Sequence, residues 1–227
     1  QHQEAKYFSE CNYLIKYLFL FKLYFKLEDV GVSPENIGFA NVTMSSEKFI
    51  CIRENKQSSK AFLRIIDFRN GIEITEKPMT ADSAIMNPNL AHLALRGMFT
   101  PIYCKLNKFC IAQNTIQVFD IDSKDKISSI QINFEVIFWN WADENHILLV
   151  SDAYIFLWEY KVQDSVPIKW FDKTSTLDDC QIINSGCDKS GKWCYVSGIS
   201  LKVNYLFTLL FHGFAAEWKN FRFHSII

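Results

Sequence analysis

Glycine is scarce in this chain, with eight residues among 227. None of them builds a glycine-rich phosphate loop, which excludes the common nucleotide fingerprints. Proline is scarcer still, at five. No C-x-x-C pair and no cysteine–histidine spacing of the zinc type occurs, so neither a zinc module nor a thioredoxin-like motif is in view. The seven cysteines (Cys11, Cys51, Cys104, Cys110, Cys180, Cys187 and Cys194) are scattered and odd in number, a usage expected of reduced, mostly buried thiols in a cytosolic protein. Neither sign of charge is in excess: 24 basic and 25 acidic residues leave a net charge of −1. Nothing therefore draws the chain as a whole to nucleic acid or to an anionic bilayer. A long apolar run is missing as well. The richest candidate, YLIKYLFLFKLYFKL (Tyr13 to Leu27), is interrupted by Lys16, Lys22 and Lys26 and falls short of the roughly 20 apolar residues of a spanning helix. No small-residue cleavage site follows it, as a secretory leader requires. Asn41-Val42-Thr43 matches a glycosylation acceptor in form, but without a secretory route it reads as a strand-like triplet.

What is present is a large apolar fraction, 49% of the residues, enough to bury a core, arranged in short runs that recur. Runs ending in an acid stand at FLRIID (Phe62 to Asp67), TIQVFD (Thr115 to Asp120) and YIFLWE (Tyr154 to Glu159), their acids 53 and 39 positions apart. A second series, KFICI, AHLAL, NHILLV and KWCYV, begins at Lys48, Ala91, Asn145 and Lys192, with separations of 43, 54 and 47. Polar turns precede its members. Both series contain one overlong interval, and in both it spans residues 98–112, MFTPIYCKLNKFCIA. Without those 15 residues the repeat is about 40 residues long, the period of a β-propeller whose blades are four-stranded antiparallel sheets. The runs are short, rich in Ile, Phe, Val and Trp, and alternate with period two, which distinguishes them from a helical solenoid. The fold class expected is all-β, an incomplete WD40-like propeller of four blades with the last one incomplete or irregular.

Catalytic patterns are weak. The histidines, His2, His92, His146, His212 and His224, lie in the tails or within apolar strands, where a structural imidazole is the ordinary role. Asp178-Asp179 are adjacent, so on a strand they would face opposite ways. Trp139 and Trp141 would share a face and could form a platform for sugar or peptide; core packing is the simpler reading. No cofactor and no metal is expected, and the chain is read as a non-enzyme.

Five colinear stretches, GVSPENIGFANVTMSSEKFICIRE (31–54), KPMTADSAIMNP (77–88), TIQVFDIDSKDK (115–126), VIFWNW (136–141) and FDKTSTLDDCQIIN (171–184), carry a resemblance to the N-terminal propeller of the clathrin heavy chain. It runs from about Leu27 to Ser200. The division it implies is an unmatched extension over 1–26, a partial clathrin-type propeller over 27–200 with an unmatched insertion at 98–112, and a divergent segment over 201–227. The three departures, 1–26, 98–112 and 201–211, are heavy in Phe, Tyr, Leu, Lys and Asn, which points to translated intron or misassembled sequence. In the family the propeller has seven blades followed by a helical leg, so the resemblance implies a chain without the regions that trimerise and bind light chains. MTADSAIMNP would be the linker between the first two blades, with Pro78 and Pro88 bounding the strand that carries the chain across.

The resemblance also implies the sites. In the family the groove between blades one and two takes short extended peptides of adaptor and accessory proteins, in which apolar residues alternate and an acid follows. Carried over by residue, its apolar floor would be Ile65, Leu93 and Phe119, with Thr115 and Gln117 as polar contacts. Lys124 and Lys126 would hold the acidic end, and Lys77 stands where arginine is usual; a lysine offers a point charge and no bidentate fork. Leu93 replaces the usual isoleucine. A second, axial site for a tryptophan-bearing peptide would use Phe39, Gln181, Ile183 and Ile199. Read without the resemblance, Ile65, Leu93 and Phe119 are core positions and SKDK is a solvated turn. The function implied is a structural component of clathrin-coated pits and vesicles, acting in endocytosis and intracellular protein transport on the cytoplasmic face of the membrane, with no nucleic acid and no membrane insertion. The alternatives are a small-ligand or enzymatic propeller with its active residues near the axis, and an inert fragment.

Overall fold

The computed structural model describes residues 25–38, 41–55, 61–97, 115–173, 177–187 and 193–200, together with the strand backbones of 206–212 and 219–222. Contacts divide the chain into a unit up to Ile37 and a unit from Gly38 onward. Described residues of the first form two short 3₁₀ turns, Leu27–Val30 and Pro34–Asn36. Gly31 ends the first turn in the left-handed region, at φ 82°, where glycine lacks the Cβ that would clash.

Among its described residues the second unit holds four sheets, each a meander of four antiparallel strands in chain order. The first comprises β1 (Val42–Thr43), β2 (Phe49–Asn55), β3 (Ala61–Asp67) and β4 (Glu73–Met79). The second comprises β5 (Ser83–Met86), β6 (His92–Gly97), β7 (Thr115–Asp120) and β8 (Lys126–Gln131). The third is β9 (Phe138–Trp141), β10 (His146–Val150), β11 (Tyr154–Glu159) and β12 (Ile168–Asp172), and the fourth β13 (Cys180–Cys187), β14 (Trp193–Ser200), β15 (Leu206–His212) and β16 (Lys219–Arg222). Each sheet is one blade. The two repeating series of the sequence are the second and third strands of successive blades, where burial on both faces demands Ile, Leu, Val and Phe. The fourth strands of the first two blades are largely solvent-facing, as outer edges should be: every residue of β4 before Met79 is exposed or half-buried, as is every residue of β8, and Pro78 sits on the β4 edge, where its missing N–H costs least.

Alternation along the strands builds the core between blades. Leu93 and Leu95 of β6 pack with Leu63 and Ile65 against blade one, while Ala94 between them faces Trp139, Ile147 and Leu149 of blade three. Leu148 and Val150 point the other way, to Val196 of blade four. Trp139 and Trp141 lie in this core rather than forming a platform. Their indole N–H groups donate to Ser83 Oγ at 3.0 Å and to the Ile85 carbonyl at 3.2 Å, which satisfies the polar end of a buried ring.

Two particulars differ from the sequence reading. The fourth blade is a full four-stranded sheet, because β15 pairs with β14 over seven residues from Ile199–Leu206 to Trp193–His212. That strand comes from the segment without counterpart in the resemblance. Cys187 and Cys194 form a disulfide rather than staying reduced; they stand directly opposite across the β13–β14 hairpin, a proximity that scattered spacing conceals. Cys51 and Cys180 are thiols outside any disulfide. Ile52 and Ile66 of blade one are completely buried, whereas Ile183, Trp193 and Ile199 of blade four are 46, 41 and 38% exposed. The glycosylation-like triplet is strand-like as expected in its last two residues, Val42 and Thr43 forming β1 and the Thr43 hydroxyl donating to the Ala84 carbonyl at 3.0 Å.

MTADSAIMNP does carry the chain from blade to blade. Met79 closes β4, and Ser83–Met86 is the innermost strand of blade two. Asn87 then stops it. Its Oδ1 accepts from the backbone N–H groups of Asn89 and Leu90, at 3.0 and 2.9 Å, and its Nδ2 donates to the Glu144 carbonyl of blade three at 3.1 Å. One side chain thus shapes a turn and ties two blades.

Candidate functional site

Register decides which residues of blades one and two face each other. In β7, Thr115, Gln117 and Phe119 share a face by the period of two, and Phe119 lies opposite Leu93. Lys126 of β8 is opposite Phe119, so it projects to that same face. On blade one Lys77 is opposite Leu63, whose side chain belongs to the core shared with Ile65, Leu93 and Phe119. The residues carried over from the resemblance therefore converge on one seam. Its floor is closed: Ile65, Leu93 and Phe119 are 3, 0 and 3% exposed. Thr115 is buried with them, Lys77 and Gln117 are half-buried, and Lys124 and Lys126 are exposed on the rim. Among the described residues the Oε1 of Gln117 is buried without a hydrogen-bond partner, an arrangement that costs free energy until a donor arrives.

The rim is shaped by the β7–β8 turn. Asp120 Oδ1 accepts from the N–H groups of Asp122 and Ser123 at 2.8 and 3.2 Å, and Ser123 Oγ accepts from that of Asp125 at 3.3 Å. Lys124 adopts the left-handed region at φ 63°, a conformation rare outside glycine and asparagine. Sequence reasoning missed Arg69, in the turn between β3 and β4. Its guanidinium donates to Asp67 on its own blade and to both carboxylate oxygens of Asp122 on the next, at 2.8 and 2.7 Å. The sequence holds no local signal of this contact, since the two residues are 53 positions apart.

For the axial site, Gln181 stands opposite Ile199, and Ile183 lies at the β13 bulge beside them. All three are exposed. Phe39 lies outside the described residues, as do the insertion at 98–112 and most of the 1–26 extension. A separate depression of about 730 Å³ is lined by first-to-second-strand turns of the blades, including Ser45, Asn89, Glu144 and Asn145, with Asn184 and Tyr195 from blade four. Among the described residues there is no group of His, Cys, Asp and Glu that could hold a metal ion, and no helix is long and apolar enough to cross a membrane. His92 and His146 are engaged structurally, His92 Nδ1 with the Tyr160 hydroxyl at 2.6 Å and His146 Nδ1 with Asp143 at 2.8 Å.

Four-stranded antiparallel meanders stacked face to face define an incomplete β-propeller. No family model matches the chain. Clathrin heavy chain of Drosophila melanogaster is 38% identical over 180 residues, covering 79% of this chain and 10% of its own. Human clathrin heavy chain 2 is 37% identical over 184 residues, 81% of this chain and 10% of its own, and the probable clathrin heavy chain of Schizosaccharomyces pombe 34% over 179, 79% and 10%. The β-propeller domain of Cps50 (Swd1) from Myceliophteria thermophila shares 8% identity at a TM-score of 0.48, over 78% of this chain and 56% of its own. The chain belongs to the clathrin heavy-chain family as a propeller segment. It spans about a tenth of the length of the relatives it matches.

Proposed function

We propose that this segment is a peptide-docking part of a clathrin coat, recruiting adaptor and accessory proteins through short extended motifs in which apolar residues alternate and an acid follows. The reading is of a binding module on the cytoplasmic face of coated pits and vesicles, and not of an enzyme. The observation that supports it is the seam between blades one and two, where the unpartnered Oε1 of Gln117 lies between the buried floor and the rim lysines. An extended peptide matches this seam in kind. Its backbone N–H groups can supply the donor that Gln117 lacks, alternate side chains point toward the floor, and Lys124 and Lys126 meet the acid. The floor admits little more than the edges of side chains, so affinity is weak for one motif and useful only when many copies act together. Gln181, Ile183 and Ile199 offer a second docking patch for an aromatic-bearing peptide.

Fluorescence polarisation with a labelled apolar-acidic peptide tests the reading. Expected are a Kd of about 10–500 µM, weakening with salt, and loss of binding on Gln117→Ala, since exposed lysines each contribute about 1 kcal/mol or less. Sub-micromolar monovalent affinity, or indifference to salt, would count against this seam.

A further inference from the structure

We propose that Arg69 is a positioning residue for the acidic end of a docked peptide, bridging Asp67 and Asp122 so that the β7–β8 turn presents Lys124 and Lys126 in one fixed place. This rests on the docking reading above and adds to it the element that sets charge recognition.

The geometry is specific. Arg69 Nε and Nη2 donate to the Asp67 carboxylate at 3.0 and 2.7 Å, and Nη1 and Nη2 to the Asp122 carboxylate at 2.8 and 2.7 Å. Asp67 also accepts from the Arg69 backbone N–H at 2.9 Å, which locks the turn from which the arginine springs. The guanidinium stands 4.8 Å over the Phe49 ring, so its plane is fixed as well as its bonds. A planar fork between two carboxylates resists rotation in a way an ammonium cannot. Hydrogen bonds from Arg69 hold Asp67 and Asp122 below the usual carboxylate range, so both partners are ionised at neutral pH.

The consequence lies two residues further on. Asp122 opens the turn whose next residues are Ser123, left-handed Lys124 and Asp125. The internal turn bonds all run within residues 120–125 and orient the turn only relative to blade two. The Arg69 bridge is the contact that orients it relative to blade one, the other wall of the seam. Without it the lysines keep their charge and lose their place.

Charge and position make opposite predictions for one substitution. Asp122→Asn removes a negative charge next to the lysines, so a field effect alone would tighten an acidic peptide, whereas loss of the bridge weakens it. We expect Arg69→Met and Asp122→Asn each to weaken the acidic peptide about two- to five-fold, the range of an exposed ion pair. The double variant should be no weaker than either single one, and Arg69→Lys should fail to rescue. A control peptide with its acid replaced by the amide should be unaffected in all of them. The ¹⁵N heteronuclear NOE of Ser123 to Asp125 in the free protein should fall in both single variants. A tighter acidic peptide with Asp122→Asn, additive losses, equal losses for both peptides, or an unchanged NOE would overturn the positioning role. Failure of the docking reading is separate: there the NOE falls, while wild type and the Lys124→Ala, Lys126→Ala double variant treat acidic and amide peptides alike.

Discussion

Asn87 is the side chain whose removal should report most clearly on how the blades hold together. It is completely buried and makes three hydrogen bonds, two to backbone N–H groups of its own turn and one to the Glu144 carbonyl of the next blade. At about 1 kcal/mol net for each bond, Asn87→Ala should cost about 2–3 kcal/mol. Asn89 is exposed and Leu90 half-buried, so water can replace part of the turn bonding and keeps the figure from rising further. Asn87→Asp separates the two roles. It retains the acceptor for the Asn89 and Leu90 N–H groups but sets a carboxylate oxygen against the Glu144 carbonyl in a site without solvent. A buried charge facing an acceptor is worse than an absent donor, so the aspartate variant should lose at least as much as the alanine variant at pH 7. Urea denaturation followed by tryptophan fluorescence measures both, since Trp139 and Trp141 lie at this interface. For a chain of this size the alanine variant should melt about 4–12 °C lower. A loss below about 0.5 kcal/mol for alanine, or an aspartate variant as stable as wild type, would refute the assignment of Asn87 to the interblade bond.

Deletion of residues 98–112 should leave the melting temperature unchanged or raise it, because β6 and β7 pair through Gly97 and Thr115 and closure cost grows only with the logarithm of loop length; a clear drop would mark the segment as structural. Histidine titration should act in two directions. Burial lowers the His92 pKa, so the unfolded chain protonates first and stability falls as pH drops through about 6.5. The hydrogen bond to Asp143 raises that of His146, so its contribution is full below about 6.5 and is lost as pH rises through the folded-state value. His92→Gln should flatten the acid side of a plot of Tm against pH and His146→Gln the alkaline side; variants with the wild-type profile would sink both assignments. The exposed apolar face of blade four should drive association of the 26.5 kDa chain. Light scattering after size exclusion should show that Trp193→Lys with Ile199→Lys lowers the mean mass, and a monodisperse wild-type monomer would contradict this.

The second and third strands of each blade were legible in the sequence because both their faces are buried, which forces apolar runs such as FLRIID and NHILLV to recur at a fixed interval. The first strand of blade one showed only as a strand-like triplet, since Val42–Thr43 is two residues long, and β8 did not show, because its KISSIQ is polar and exposed enough to pass for a loop. Resemblance brought the seam residues into view, and register shows why they meet: Phe119 opposite both Leu93 and Lys126 is a property of pairing, not of spacing. Contacts between distant turns left no trace at all. Arg69 with Asp122 and Asn87 with Glu144 join residues 53 and 57 apart, and Cys187 with Cys194 depends on a hairpin register that a separation of 7 positions does not announce.

Position also decides which substitutions can speak about binding. Ile65, Leu93 and Phe119 belong to the core that joins blades one and two, and truncating a buried phenylalanine costs about 3–5 kcal/mol before any ligand is considered. Loss of peptide binding in Phe119→Ala would therefore follow from a loosened seam as readily as from a lost contact. Gln117 and the lysines are different. Gln117 presents an oxygen that no described residue satisfies, so replacing it removes a desolvation penalty from the free protein and should leave stability unchanged or raised while abolishing the peptide contact. Lys124 and Lys126 are exposed and carry charge without packing. Opposite signs for stability and affinity at position 117 are what a docking groove produces and an ordinary core position cannot, because a core side chain that is removed weakens fold and binding together.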